Sequence, residues 1–337
     1  TKNRTRWLAL VELLQQQGFE LYICEHEFTA PKAKDQLGRE RESVPIPAGS
    51  LLIPNRQPLA HLLAAVMEFD PHFPSHVLVD ERKELLSKGR SRIYDTTAWN
   101  VTMMYGLPAL TLQMELPPGA KLASGALSPP PPIAPVANTT PTAYVIDGAS
   151  DASVTAAARM MERGLQVRVA AKAFRLDGHD FARGSVVVTA LDNRAFAGDF
   201  RQVLNEVSTE TGLSAVPVST GLGDGDLPDL GGEHFRRLEP PRVALFTRGS
   251  VGASDYGSIW FTIDHKLGIR HSHVDEVGRL DLSRYNVIVL PDARASAISS
   301  NLVGSLKDWV RNGGTLIGVG GSTSAFTQEN AHFSRVR

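Results

Sequence analysis

Four prolines in a row, Pro129-Pro130-Pro131-Pro132, limit what this chain can fold into more than any other feature. They lie in the stretch Pro117–Pro141, which holds eight of the chain's 21 prolines. Each proline fixes φ and lacks an N–H, so the run favours polyproline II and enters neither a helix interior nor a central strand. The stretch reads as a semi-rigid connector. A second break spans Gly221 to Pro241, where Gly-Leu-Gly-Asp-Gly-Asp and then Glu239-Pro240-Pro241 interrupt all periodicity. At 337 residues, and roughly 150 residues per domain, the chain has room for two or three domains. The breaks place them at 1–116, 142–220 and 242–337, with 117–141 and 221–241 as linkers.

An internal repeat is visible on either side of the first linker. An amphipathic helix from Trp7 to Gln17 stops at Gly18, a C-cap residue. The strand Phe19–Ile23 follows, then Phe28, a polar loop, the strand Ala48–Ile53, and a helix from about Leu59 to Glu68. The later segment runs in the same order. A helix from Ala152 to Arg163 stops at Gly164, and Leu165–Val169, Phe174, a loop, Arg183–Val188 and a helix near Ala195 to Val207 follow. Two related α/β modules are expected. From Pro241 onward the pattern becomes a βαβ alternation. Arg242–Phe246, His271–Val274, Val287–Leu290 and Thr315–Val319 read as strands, and Asp255–Leu267 and Asn301–Val310 as amphipathic helices. Buried strands alternating with helices indicate a parallel, doubly wound sheet, here one that ends early.

Composition excludes several classes. Lys+Arg 35 against Asp+Glu 36 leaves a net charge of −1, without the basic excess of a reader of phosphate backbones, so nucleic acid is not an expected partner. Hydrophobic residues at 42% build real cores rather than a disordered chain. No apolar run approaches the roughly 18 residues of a membrane span. The single cysteine, Cys24, allows neither a disulfide framework nor a Cys-cluster zinc site. It sits on an alternating strand and reads as a small core residue. A chain that starts at Thr1, without Met or signal peptide, reads as a piece of something longer.

Candidate chemistry is sparse. His273-Val274-Asp275-Glu276 is a bare H-x-x-E pair, but residues i and i+3 of a strand face opposite ways, so one zinc ion does not readily take both. The turn Gly318-Val319-Gly320-Gly321-Ser322 follows the last strand. No base or orienting acid accompanies Ser322, so its hydroxyl is not an activated nucleophile. The turn offers backbone N–H groups to an anion but reads more simply as a tight turn. Gly223-Asp224-Gly225-Asp226 lacks the twelve-residue spacing and terminal Glu of an EF-hand loop. The segment Tyr94-Asp95-Thr96-Thr97-Ala98-Trp99-Asn100 is the densest in information. There Asp95 is suited to cap a helix over Thr97–Met104 and Trp99 to anchor it, with ligand binding by Tyr94, Asp95 and Trp99 as the rival use.

The combination Pro47–Ile53 with Gln57-Pro58, then Tyr94–Trp99 and Tyr105-Gly106, resembles the region downstream of the catalytic domain in large bacterial M14-type zinc carboxypeptidase-like proteins. Pro241–Leu245, Asp255-Tyr256-Gly257, Leu267-Gly268-Ile269 and Tyr285–Pro291 are similar to the class I glutamine amidotransferase-like (flavodoxin-like) domain that closes those proteins. The likeness runs from about Leu8 to Ser322. It implies a parent protein that removes C-terminal residues from peptides, with zinc and all catalytic groups in an upstream peptidase domain. That domain would be this chain's partner, in a secreted or periplasmic setting. The nucleophilic Cys of an amidotransferase turn has no counterpart at Gly318–Ser322.

Two functions follow as expectations. The first is an accessory, non-catalytic portion of such a carboxypeptidase, with no catalytic residue, metal or cofactor of its own. The second is binding of a small molecule or glycan by the degenerate amidotransferase-like domain. Open parallel sheets bind ligands at the carboxyl ends of their strands, here near Arg248, Asp255, Asp292 and Gly320.

Overall fold

The computed structural model describes residues 3–69, 73–93, 100–123, 141–247, 251–275, 281–327 and 333. The chain divides into two compact units, Thr1–Pro129 and Pro130–Arg337, each mixing helices and sheets. No helix among the described residues is long and apolar enough to cross a membrane.

In the first unit, α1 (Arg4–Gln16) starts where the Asn3 side chain accepts the Arg6 N–H, an N-cap that satisfies an otherwise orphan donor. Leu10, Val11 and Leu14 recur on one face and pack with Phe19 and Leu21 into the core. Then come β1 (Tyr22–Cys24), β2 (Phe28–Asp35), β3 (Glu40–Ile46), β4 (Leu51–Leu52), α2 (Ala60–Val66), α3 (Ser75–Lys88), α4 (Val101–Met104), β5 (Leu110–Leu112) and β6 (Ala120–Leu122). They form two antiparallel sheets, in the orders β4-β1-β6 and β3-β2-β5. On α3, Leu78, Val79, Leu85 and Leu86 face outward, and its buried residue is Glu84, held by Lys88 at 3.0 Å and Arg92 at 2.6 Å.

The second unit opens with β7 (Ala143–Ile146), α5 (Ala152–Glu162), β8 (Arg168–Ala170), β9 (Phe174–Leu176), β10 (His179–Phe181), β11 (Val186–Thr189), α6 (Phe200–Thr211), β12 (Val216–Val218) and β13 (Phe235–Arg237). A five-stranded antiparallel sheet runs β12-β7-β11-β8-β13. Strand alternation sorts its side chains: Tyr144 and Ile146 meet α5 and α6, while Ala143 and Val145 meet Phe174, Phe181 and Phe235 on the other face. Four parallel strands follow, β14 (Val243–Phe246), β15 (His271–Val274), β16 (Val287–Leu290) and β17 (Thr315–Gly318), in the order β15-β14-β16-β17. Their helices are α7 (Ala253–Phe261), α8 (Ser300–Arg311) and α9 (Ser324–Thr327). Ile288 and Leu290 pack on Leu306 and Phe326, and Leu245 and Val289 pack on Ile263 from the opposite face. α5 meets this part through the Arg270–Glu162 ion pair at 3.5 Å.

One set of backbone bonds occurs in both units. Gly18 and Gly164 end their helices at φ 84° and 88°, and Phe19 N–H and Leu165 N–H return to Leu14 O and Met160 O. The shift is 164 − 18 = 146 residues. At that same shift, buried Leu10, Val11, Leu14, Phe19, Leu21 and Cys24 correspond in position to buried Ala156, Ala157, Met160, Leu165, Val167 and Ala170. After the β2–β3 and β9–β10 hairpins, Gly49 N–H donates to Cys24 O at 2.7 Å and Gly184 N–H to Ala170 O at 2.8 Å. Ser50 Oγ donates to Pro47 O and Ser185 Oγ to Ala182 O. At the far edge, Ala123 N–H reaches Leu21 O and Leu238 N–H reaches Val167 O, both at 2.8 Å.

Several elements differ from what the residues alone suggest. The loops expected after Phe28 and Phe174 are β-hairpins, whose polar alternation on exposed faces hides them from a search for apolar runs. The linkers read at 117–141 and 221–241 hold β6 and β13, edge strands paired to β1 and β8. The helix expected over Thr97–Met104 is four residues long, and the side chain of Asn100 caps it by accepting the Met103 N–H. Asp95, the cap expected from sequence, lies outside the described residues. Helix Asp255–Leu267 is α7 followed by a single π-helical turn, Thr262–Lys266. Cys24 is 2% exposed and its thiol donates to His26 O, as a small core residue would.

A Cβ on Gly148 would overlap the backbone of Gly184 and Ser185, lying 2.6 Å from Gly184 O. Gly148→Ala is therefore expected to destabilise the second unit by about 1–3 kcal/mol. Gly49→Ala meets no atom within 4 Å and should cost about 1 kcal/mol, from its left-handed backbone alone. Urea denaturation followed by circular dichroism checks the order of the two.

Candidate functional site

The carboxyl ends of β14 to β17 gather the residues that sequence reasoning marked in this part. Asp255 sits in the first turn of α7, where a carboxylate is favoured by the N–H groups of the helix start. Its Oδ2 lies so close to Gly252 that a Cβ there would collide with it. Asp292 follows β16, and its Oδ1 accepts the Gly321 N–H in the turn after β17. Gly320, at φ 57°, has space for a hydrogen but not for a methyl, because the Asp292 carboxylate fills it. Asp292 and Gly320 are thus brought together, and the carboxylate closes the turn from inside. Tyr94, Asp95, Trp99 and Arg248 lie outside the described residues.

Ser322 is fully buried. Its hydroxyl donates to Val319 O at 2.8 Å, with Leu290 O at 3.3 Å, and accepts the Val319 N–H at 3.1 Å. A hydroxyl so engaged has no free path to an electrophile. Nearby, Thr247 Oγ1 donates to Asp275 Oδ1 at 2.7 Å and ties the ends of β14 and β15 together.

A cluster on β15 escaped the search for metal motifs. Residues i and i+2 of a strand share a face, so His271 and His273 lie side by side, ring centroids 4.9 Å apart. The Tyr256 hydroxyl meets His273 Nδ1 at 2.6 Å, and burial pushes the Tyr256 phenol up from its ordinary value. His271 Nδ1 lies 3.0 Å from Ile269 O, which fixes the proton on that nitrogen. Of the H-x-x-E pair, His273 thus has its Nδ1 engaged by a phenol, and Glu276 lies outside the described residues. Among the described residues no three His, Cys, Asp or Glu side chains group as a metal would require.

Three further features lie in the second unit. Arg168 on β8 grips Asp192 with Nε at 2.6 Å and Nη2 at 2.9 Å, and donates from Nη1 to Phe235 O. The Arg168 hydrogen bond holds the Asp192 carboxyl below the usual range against the opposing effect of burial. A recess of about 260 Å³ lies between α5 and the chain at Leu238–Pro241, lined mainly by apolar groups such as Val154, Met161 and Ile269. It is smaller than the roughly 300–1,000 Å³ of small-molecule sites. The Gly223–Asp226 stretch is a folded turn in which Gly223 N–H donates to Asp229 Oδ1.

No model of a known protein family, no curated protein and no solved structure matches this chain.

The buried Ser322 hydroxyl sets a clear expectation. A serine-reactive fluorophosphonate probe should leave Ser322 unlabelled in the folded protein. Ser322→Ala should lower stability by about 1 kcal/mol, through the lost hydroxyl bond to Val319 O, while the Val319 N–H keeps its bond to Leu290 O. A covalent adduct on Ser322 detected by peptide mass mapping would contradict this description.

Proposed function

We propose that this chain is an accessory, non-catalytic portion of an M14-like zinc carboxypeptidase-like protein, in which it serves as a scaffold for an upstream peptidase domain. In this reading it comprises two copies of one module and a truncated doubly wound sheet of the class I glutamine amidotransferase-like type. The parent protein would act on peptides outside the cytoplasm, with zinc and the catalytic groups held upstream. The observation that supports it most is the state of the polar groups at the carboxyl ends of the parallel sheet. Asp292 and Ser322 are committed to backbone partners, where a catalytic or ligand-binding site would hold them open. The bonds common to the two units support the module reading. The motif order around Pro47–Ile53, Tyr94–Trp99 and Tyr285–Pro291 carries the resemblance on which the family reading rests. Binding of a small ligand by the amidotransferase-like part ranks behind it, because the Asp292 carboxylate already closes a turn.

The test is an assay of the purified chain with added zinc against peptides of varied C-terminal residue. No release of C-terminal amino acids is expected. Robust release that a chelator abolishes would overturn the proposal.

A further inference from the structure

We propose that the open edge of β4 is a docking site for one extended polypeptide strand of the β7 type, added antiparallel to Leu51–Ile53. The inference rests on reading the two modules as copies of one unit. In the second module, β11 lies between β8 and β7. In the first, the matching strand β4 has β1 on one side and, among the described residues, no strand on the other. The match is set by residue positions. The pairs Tyr22↔Leu52 and Ile23↔Leu51 correspond to Arg168↔Val187 and Val169↔Val186, and the shift in the later strand is 184 − 49 = 135 residues. Leu51, Leu52 and Ile53 therefore stand where Val186, Val187 and Val188 stand.

Burial differs as an unfilled edge requires. Val186, Val187 and Val188 are at most 3% exposed, whereas Leu51, Leu52 and Ile53 are all partly exposed. The backbone is aimed correctly. Cys24 N–H takes Ser50 O, so alternation turns Ser50 and Leu52 toward β1 and leaves the N–H and C=O of Leu51 and Ile53 facing the open side. Pro54 falls on the β1-facing parity, so its missing N–H does not block the edge. One side-chain acceptor is also in place. Ser185 Oγ accepts the Gly148 N–H beyond the end of β7. Ser50 Oγ makes the equivalent donation to Pro47 O, and its lone pairs have no partner among the described residues.

The occupant follows from β7 itself. It is a short apolar strand with a β-branched residue at its centre, ending in Asp-Gly, and its backbone gives the affinity of strand addition. The pairing Val186↔Ile146 and Val188↔Tyr144, continued by Ala190 N–H to Thr142 O, puts the amides of Tyr144 and Ile146 on the β11 side and that of Val145 on the β12 side.

The experiment uses the full chain and three fluorescein-labelled peptides of residues 141–148. One is unmodified, one is N-methylated at Tyr144 and Ile146, and one is N-methylated at Val145. Fluorescence anisotropy should show saturable binding of the first and third. The second should bind about tenfold more weakly or not at all, having lost two hydrogen bonds. Hydrogen exchange should show new protection at Leu51 and Ile53 with the first peptide. No saturable binding up to about 1 mM, a range that covers affinities of only about 4 kcal/mol, overturns the proposal, as does equal binding of all three. Exchange at Gly49 and Cys24 without peptide reports the underlying module reading. If those amides exchange freely, that reading fails; if they are protected and the peptides do not bind, the docking proposal fails alone.

Discussion

A glycine-serine turn closes each module, and the rest of each small sheet depends on it. Gly49 and Gly184 adopt φ 79° and 87°, a region that costs other residues energy. Each then sends its N–H to the carbonyl at the end of β1 or β8, that of Cys24 or Ala170. The serine that follows ties its hydroxyl to the residue three positions earlier. This sets the register of β4 on β1 and of β11 on β8. A one-residue slip would turn Val186 and Val188 away from the helices and Val187 toward them. It would also remove the carbonyls that Cys24 and Ala170 donate to.

The parts that sequence could reveal are those with strong periodicity and sharp ends. Strands His271–Val274 and Val287–Leu290 were legible to the residue: the second is a short apolar, mostly β-branched run stopped by Pro291-Asp292, and the first, His-Ser-His-Val, is placed by the βαβ alternation around it. Helices ending at Gly18 and Gly164 were legible from the cap. The hairpins were not. β2 carries Pro-Lys-Ala-Lys-Asp and β3 opens Glu-Arg-Glu-Ser, largely exposed, so no apolar run marks them as strands. β6 and β13 are three residues long and sit among Pro and Gly, which read as linker. α3 escaped because it inverts the usual pattern, exposing leucines and burying a glutamate. β7, the strand that serves as the template for docking, is four apolar residues just after Pro141 and has no period to detect.

The candidate site shows the same division. Residue type and position at strand ends were enough to single out Asp255, Asp292 and Gly320. Whether a carboxylate is open or closed on a turn depends on contacts between residues 29 positions apart, such as Asp292 with Gly321. The His271–His273 pair has an i, i+2 spacing that only a strand assignment makes meaningful. In the proposed account, polar groups that an enzyme would keep available are instead used to finish turns, and sheet edges rather than pockets carry the interactions.

The most direct test of the account is a measurement of scalar couplings across hydrogen bonds in the isotopically labelled protein. The account predicts couplings from Gly49 N to Cys24 C′ and from Gly184 N to Ala170 C′, both present and of similar size. A coupling at Gly184 with none at Gly49 would contradict it, since the first module would then lack the turn on which the second is built.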